Sequence, residues 1–402
     1  MAQKRLVTKI ITRGLLIAAG IGVALGLSEL GVRLMGFPYE HCPSYECNRM
    51  VGWLGTPNID LEEEVDDYVH RVKRNSRGMH DRDHALEKPD GVYRILLVGD
   101  SFAVAREVEE RETNHQVLED TLNARAPDGL RFEVIVGGVR GWGPAQEYLY
   151  LREFGYQYQP DLVLVYWLPR NDLQDVLPDY RRTLAGVNCY APYFAVCDGV
   201  FDPIPWFSAP GISPAFQSCS PVKKAVTNVL SWVYYRSRLY QYLERLTVNA
   251  HPQLQIDPWY LPWVAPEISG ELLPYAYQVT GGTYDLLVET AAAHGAASVF
   301  VVLPTSETVL FETDPTFREE MLSVPGMSNS NPLQPNSVFR VLLVPTGAPI
   351  LDLQQALVDY TRDTGEPLYW EEDGHWNMAG NRVAGEAIAD WLIEAGLVPA
   401  AP

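Results

Sequence analysis

The chain has 402 residues, of which 47% are hydrophobic and 20% are charged, which suits one large globular domain with insertions or two modest domains. This composition excludes a disordered protein. The formal net charge of −20 disfavours a nucleic acid as partner, because phosphate groups would be repelled. The charge is unevenly placed: residues 1–36 carry five basic residues and one acid, a net of +4, so the remainder carries −24.

The basic N-terminal segment has the composition of a membrane anchor. An uncharged run from Gly14 to Ser28 follows four basic residues, and Ile10 to Phe37 is long enough to cross a bilayer as one helix. No small-residue cleavage pattern follows the run. Because the basic residues precede it, we expect an uncleaved signal anchor at residues 1–37, with the acidic body on the extracytoplasmic side. A buried amphipathic helix is the alternative.

The five cysteines are compatible with an oxidising compartment. Their spacing favours two local disulfides, Cys42 with Cys47 and Cys189 with Cys197, which leaves Cys219 over. No C-x-x-C or histidine pair accompanies them, so we predict no metal site.

Residues 38–92 are rich in Pro, Gly, Asn and charge, which predicts a stalk and lead-in without a core of its own. The string HDRDH, from His80 to His84, superficially resembles a metal site. Two histidines four apart bind metal well on a helix face, but Gly78 and Asp81 disfavour a helix here. We therefore predict a solvated turn.

From Arg94 onward, short apolar runs alternate with helical patterns, which predicts a parallel sheet with right-handed crossovers. The predicted strands are Ile95–Val98, Phe132–Val136, Leu162–Trp167, Ser298–Leu303 and Pro349–Leu353. Predicted helices cover about 112–126, 148–154, 226–246, 277–294, 337–343, a stretch ending at 361, and 378–395. The fold prediction is a three-layer α/β/α, flavodoxin-like domain over residues 93–398 with a five-stranded parallel sheet. An aromatic-rich insertion at about 178–274, a candidate cap over a site, interrupts it.

Ser101 occupies the turn after the first strand of this predicted sheet. Gly99 and Asp100 break the strand, and the chain must then turn sharply into a helix. Such a turn places a hydroxyl at the carboxyl end of a strand, where open α/β sheets bind ligands. The ordinary alternative is a helix N-cap at Asp100 or Ser101.

Other parts of an acyl-transfer site follow in order along the chain. Gly141 lies in the string VGGVRGWGPAQE after the second strand, and Asn171 in LPRND after the third. Asp373 and His375 lie in EEDGHWN, just before the last helix. Because these segments all fall at one edge of the predicted sheet, they indicate a nucleophile, a base and oxyanion donors. Taken singly, each has an ordinary explanation as a turn, a helix cap or a surface loop.

These blocks resemble those of the SGNH hydrolases, the GDSL esterase and lipase superfamily. The resemblance runs from about Arg94 to the last predicted helix and is most specific in the strings GDSF and DGHWN. The lead-in RNSRGMHDRD before GVYRILLVGDSF is similar to that of the membrane-anchored bacterial branch. An Asp and a His separated by one residue are similar to the pattern of alginate O-acetylation proteins.

The resemblance implies a role for each matching residue. Ser101 is the implied nucleophile, and His375 is the base, oriented by Asp373. The backbone N–H groups of Ser101 and Gly141 and the side chain of Asn171 would hold the oxyanion. No metal or cofactor is implied.

The chain departs from the family pattern in three places. Pro169 and Arg170 precede the asparagine of the third block, where many members have glycine. Val136 replaces the asparagine usual early in the second block. Many members place the acid three residues before the histidine, which here is Glu372, so Glu372 is the alternative to Asp373.

The expected function is that of an extracytoplasmic, single-pass membrane esterase that removes O-acyl groups, above all acetyl, from a carbohydrate or lipid. A polysaccharide O-acetyltransferase using the same residues is one alternative. A non-catalytic cell-envelope binding or assembly protein with the same fold is another.

Overall fold

The computed structural model describes residues 2–35, 44–65, 68–177, 189, 191–208, 219–234, 236–240, 242–243, 272–323 and 331–401. The described helices include α1 (Ala2–Leu34), α2 (Ser101–Val104), α3 (Asn114–Asn123), α4 (Pro144–Glu153), α5 (Pro169–Asp175), α6 (Pro221–Tyr234), α7 (Leu272–Ala293), α8 (Ser306–Thr313), α9 (Pro315–Ser323), α10 (Gln334–Leu343), α11 (Gln354–Thr364) and α12 (Met378–Glu394). The strands are β1 (Tyr45–Asn48), β2 (Gly52–Gly55), β3 (Asp60–Val65), β4 (Tyr68–Lys73), β5 (Val92–Val98), β6 (Arg131–Val136), β7 (Leu162–Trp167), β8 (Ala191–Cys197), β9 (Val200–Ser208), β10 (Ala297–Val302) and β11 (Ile350–Asp352).

The central sheet has five parallel strands in the order β11-β10-β7-β5-β6. Numbered within the sheet alone, this is the flavodoxin-like order 2-1-3-4-5. The predicted fold class is therefore confirmed. Strands β5 and β7 are the continuous apolar runs of the sequence because helices cover both of their faces.

Alternate residues of β5 enter two separate cores, one on each face of the sheet. Ile95 and Leu97 pack in one core with residues of α3 and α12. Leu96 and Val98 pack in the other core with residues of α4 and α7. This alternation produces the three layers.

Helix α1 is long and apolar enough to cross a membrane, judged by length and composition. The apolar stretch, Ile11–Leu34, has 24 residues and a mean hydropathy of 2.0, and only 6% of it is buried. Phe37, the predicted end of the anchor, lies outside the described residues.

The lead-in is not a stalk, contrary to the sequence expectation. The described residues of 44–91 hold two antiparallel hairpins, β1–β2 and β3–β4, and apolar side chains of the first hairpin, such as Tyr45 and Trp53, enter the core of the main domain. Trp53 donates its indole N–H to the carbonyl of Arg140 at 3.0 Å, and Trp142 donates to the carbonyl of Trp53 at 3.1 Å. The polar composition of this segment did not predict its packing, because a few large buried side chains are enough to attach it to the main domain.

The side chains of His80, Asp81 and His84 in the HDRDH turn are buried and only that of Asp83 is exposed, so the expected solvated turn is wrong. His80 is 1% exposed and Asp81 4%. Asp81 accepts a hydrogen bond from the N–H of Val136 at 3.1 Å and lies 3.1 Å from the Nε2 of His84. Its carboxylate thus satisfies a backbone donor at the end of β6, and the imidazole compensates the buried charge.

The disulfides join Cys47 to Cys189 and Cys197 to Cys219, so the expected local pairs are wrong. Cys42 lies outside the described residues. A strand rises about 3.3 Å per residue, so β8 carries Cys197 far from Cys189. Tertiary packing decides the pairing, because β2 contacts β8 and thereby places Cys47 beside Cys189.

Two further expectations change in the second half of the chain. The helix expected at 226–246 begins earlier, at Pro221, and its expected end lies outside the described residues. The loop expected before Asn331 contains α8 and α9. Thr305 caps α8 by accepting from the N–H of Thr308, a short-range signal that composition alone did not reveal.

We predict that the two disulfides differ in their contribution to stability. The Cys47–Cys189 bond closes a separation of 142 residues and the Cys197–Cys219 bond one of 22. Chain-entropy arguments give about 5 kcal/mol for the longer loop and about 3 kcal/mol for the shorter one. The paired Cys47→Ser/Cys189→Ser variant should therefore unfold at lower denaturant than Cys197→Ser/Cys219→Ser. The reverse order in equilibrium unfolding would contradict the prediction.

Candidate active site

Ser101 is the first residue of α2 and is buried, with 3% exposure. Asp100 caps this helix by accepting from the N–H of Phe102 at 2.9 Å. Gly99 is required at the turn, because a Cβ there would lie 2.9 Å from the Cβ of Tyr166. The local sequence thus forces a tight turn that fixes Ser101 at the carboxyl end of β5.

Ser101, His375 and Asp373 form a continuous hydrogen-bonded chain. The Nε2 of His375 lies 2.7 Å from the Oγ of Ser101, and its Nδ1 lies 2.9 Å from the Oδ2 of Asp373. Gly374 has φ of +74°, in the left-handed region that favours glycine, and this turn brings the flanking side chains together. Glu372, the alternative acid, has an exposed side chain.

The loop that carries this pair is held by backbone bonds. The N–H of Trp370 donates to the carbonyl of His375 at 2.9 Å, and the N–H of Gly374 donates to that of Trp370 at 3.0 Å. Phe102 packs against the imidazole with ring centroids 5.0 Å apart. The backbone bonds of the loop and the ring of Phe102 therefore both restrict the position of the His375 ring.

Two residues that the sequence analysis missed also contact this group. The hydroxyl of Tyr68, on β4, donates to the Oδ2 of Asp373 at 2.7 Å. The Oε1 of Glu107 lies 3.9 Å from the Nδ1 of His375, and its side chain is only 1% exposed. The sequence offered little signal for either, since Glu107 belongs to the acidic string EVEERE and Tyr68 is 305 residues from Asp373.

Burial and charge act in opposite directions on the histidine and its acid. Burial opposes the imidazolium, but the charge of Glu107 and the hydrogen bond to Asp373 outweigh it, so the pKa of His375 lies above its ordinary value. Burial also opposes the Asp373 carboxylate, yet hydrogen bonds with His375 and Tyr68 hold its pKa well below the ordinary value. Arg140 favours the carboxylate and disfavours the imidazolium.

The predicted oxyanion donors Gly141 and Asn171 follow β6 and β7, the two strands that neighbour β5 in the sheet. Asn171 is in the first turn of α5, and its Nδ2 donates to the Oδ2 of Asp100 at 2.9 Å. Gly141 follows β6 and has φ of +71°, a conformation that favours glycine. In the same loop, a Cβ on Gly138 would lie 2.7 Å from the carbonyl of Gly99, so this loop closely approaches the Ser101 turn.

Buried carboxyl groups lie behind the site. Burial raises the pKa of Asp100, and burial with nearby carboxylates raises those of Glu147 and Asp172 well above their ordinary values. Glu147 accepts from the hydroxyl of Tyr284 at 2.9 Å, and Asp172 from the N–H of Leu168 at 2.7 Å. Negative charge is therefore disfavoured at these three carboxyls relative to a carboxyl in water.

Glu107, Asp373 and His375 also offer ligand atoms within 4.8 Å of one another, close enough to hold a metal ion. However, the Nδ1 of His375 already hydrogen-bonds Asp373. An ion at that nitrogen would have to displace the proton and break the contact that orients the ring. The expectation of no metal stays a prediction.

The order of Ser101, His375 and Asp373 in this hydrogen-bonded chain determines its possible chemistry. A serine hydroxyl bonded to an imidazole can lose its proton as it attacks an electrophilic carbon. A carboxylate on the opposite ring nitrogen fixes the tautomer and stabilises the imidazolium that forms.

No model of a known protein family and no curated protein matches the chain. A catalytic mutant of the acetylxylan esterase Axe2 from Geobacillus stearothermophilus is 13% identical, covers 76% of this chain and 94% of that chain, and has a TM-score of 0.38. The psychrotrophic esterase EstA from Pseudoalteromonas sp. is 12% identical, with coverage of 76% and 99% and a TM-score of 0.34. The acetyl xylan esterase AlAXEase is 11% identical, with coverage of 75% and 98% and a TM-score of 0.34. Likenesses of this size leave the function to be argued from the residues of this chain.

We predict that Glu107→Gln lowers the pKa of His375, because it removes a negative charge 3.9 Å from Nδ1 and keeps the shape of the side chain. Glu109→Gln, two positions along and exposed, is the matched control and should leave that pKa unchanged. The measurement is an NMR titration of the His375 ring, assigned with a His375→Gln variant. An unchanged pKa in Glu107→Gln would contradict the role assigned to Glu107.

Proposed function

We propose that this chain is a serine esterase of the SGNH type, with Ser101 as nucleophile, His375 as general base and Asp373 as the acid that orients it. The observation that carries the proposal is the unbroken order of these groups, with spacings of 2.7 and 2.9 Å, at the carboxyl edge of the parallel sheet. That edge is where ligands bind in open α/β sheets.

The first half of the reaction forms an acyl-enzyme. The Oγ of Ser101 attacks the acyl carbonyl carbon while the Nε2 of His375 accepts the hydroxyl proton. Collapse of the tetrahedral intermediate breaks the bond to the alcohol oxygen, which takes the proton from Nε2. In the second half, water gives a proton to Nε2 and attacks the acyl carbon. Departure of Oγ, which regains the proton, releases the carboxylic acid.

The oxyanion of each intermediate needs donors opposite the imidazole. We assign this role to the N–H groups of Ser101 and Gly141 and to the side-chain amide of Asn171. The hydrogen bond from Asn171 to Asp100 supports the assignment, because it holds the amide beside the residue that precedes the nucleophile.

The finer placement of the protein is part of the same proposal. We assign it to the membrane-anchored bacterial branch of the family, with likeness to alginate O-acetylation proteins, α1 as a single-pass anchor and the domain outside. The basic flank before the apolar run supports this topology, and two disulfides suit an oxidising compartment. The substrate would be an O-acylated, above all O-acetylated, carbohydrate or lipid.

The pH dependence follows from the histidine. Because His375 must be neutral to accept the proton, activity should be low in acid and rise as the pH passes the pKa of His375. That pKa is raised, so the rise should fall above the ordinary value of about 6.5.

The test of function is a screen of acyl chain length on model esters, with and without a polysaccharide acceptor. Ser101→Ala should abolish turnover and labelling by a fluorophosphonate probe, while the fold remains intact by circular dichroism. Transfer of acetyl to the acceptor instead of water would assign an O-acetyltransferase. An intact wild-type protein with neither turnover nor labelling would favour a non-catalytic envelope protein.

A second test separates the two candidate acids. Removing the orienting carboxylate of such a triad costs about 10⁴-fold in turnover, so Asp373→Asn should show a loss of that order. Glu372→Gln should lose only about 10-fold or less, because its exposed side chain does not orient the ring. Both variants are to be compared at saturating substrate near neutral pH. If Glu372→Gln is the impaired variant, the assignment of Asp373 is wrong.

A further inference from the structure

Helix α6, in the insertion, buries two polar side chains and exposes several apolar ones. Lys224 is 9% exposed and Thr227 7%, and Lys224 makes an ion pair with Asp202. On the outward face, exposed apolar side chains recur at helical spacing. They are Val222 (71%), Val226 (48%), Val229 (59%) and Trp232 (57%). Asn228 is exposed as well, but a helix that buries a lysine and a threonine while it exposes a valine and tryptophan stripe is not suited to water on that stripe.

Hydrogen bonds attach the segment that follows α6 to the last turns of α1. Glu29 accepts from the hydroxyl of Ser237 at 2.9 Å and from the N–H groups of Arg238 at 3.0 Å and Leu239 at 2.9 Å. Arg33 donates to the carbonyl of Arg236 at 3.1 Å. These bonds hold α6 next to the end of the candidate membrane span.

An open cleft of 510 Å³ lies where the two helices meet. Leu25, Trp232 and Leu243 are among the side chains that line it, with Arg33 and Arg236 beside them. Apolar walls with guanidinium groups at the margin resemble the boundary between acyl chains and headgroups of a bilayer.

The charge of this segment differs from that of the rest of the chain. Residues 219–243 contain four basic residues and no acidic residue, in a protein with a net charge of −20. Lys224 is buried and paired with Asp202, so among the side chains that the structure describes the exposed basic residue beside the stripe is Arg236. The guanidinium of Arg236 lies 4.3 Å from the ring centroid of Trp232. Basic residues beside an apolar stripe are attracted to anionic lipid, and tryptophan favours the membrane interface.

We propose that α6 lies in the interface of an anionic phospholipid bilayer, beside the point where α1 leaves it, with its valine and tryptophan stripe against the acyl chains. The proposal rests on the membrane anchor of the proposed function. The domain would then contact the membrane at two places. Helix α1 anchors the chain in the membrane, and α6 fixes the orientation of the domain above it.

The test uses the full chain in vesicles of phosphatidylcholine and phosphatidylglycerol with brominated acyl chains, which quench nearby tryptophan. Helix α1 contains no tryptophan, so the anchor itself gives no signal. We expect quenching in the wild type, a clear loss of it in Trp232→Phe, and no such loss in Trp391→Phe, a half-buried residue of α12. Equal quenching in wild type and Trp232→Phe would overturn the proposal.

A second pair of variants tests the stripe. Val226→Asp with Val229→Asp should reduce the quenching, whereas Val341→Asp with Val344→Asp, at exposed valines elsewhere, should not. Turnover of a soluble ester should be unchanged in both. Equal quenching without phosphatidylglycerol would overturn the anionic assignment.

Flotation of the vesicles distinguishes a failure of the membrane anchor from a failure of the inference about α6. A chain that does not float with them lacks the anchor, which overturns the topology and this inference together. A chain that floats but shows no Trp232 quenching overturns the inference alone. If it also crosslinks as a dimer through α6, a second copy covers the stripe instead.

Discussion

The close contact between neighbouring loops at Gly99 is the constraint on which the site depends. Strand β5 is buried on both faces, so its chain can leave the sheet only by a tight turn, and Tyr166 and Ala103 occupy the space that a side chain at Gly99 would need. Gly138, in the loop after the neighbouring strand β6, closely approaches the carbonyl of Gly99. Core packing therefore positions Ser101, together with the Asp100 cap and the contact with His375.

Electrostatics at this edge separate groups that favour charge from groups that resist it. Asp373 favours the charged form because His375 and Tyr68 satisfy it. Burial raises the pKa of Asp100, and burial with nearby carboxylates raises the pKa of Glu147. Negative charge is thus favoured at Asp373, where it supports the imidazolium, and disfavoured at the carboxyls buried behind the nucleophile, where it would oppose an oxyanion.

The sheet was predictable from sequence because its strands are short, apolar and bounded by turn residues. Ser101 and His375 were predictable because they lie in compact motifs at strand ends or just before a helix. Glu107 and Tyr68 were not, since their importance arises only from folding that brings distant segments together. The disulfide pairing failed for the same reason: nearness in sequence is a poor guide when one cysteine lies at the far end of a strand.

The bond between Cys47 and Cys189 has a consequence for proteolysis. It closes a covalent ring that contains β5, β6, β7 and Ser101 and that begins after the end of α1. A protease that cuts once inside this ring leaves both fragments joined to α1, the proposed anchor. Only a cut before Cys47, in the short segment next to α1, sheds the whole domain. The bond therefore limits the places where a single cut releases an intact site into the surroundings.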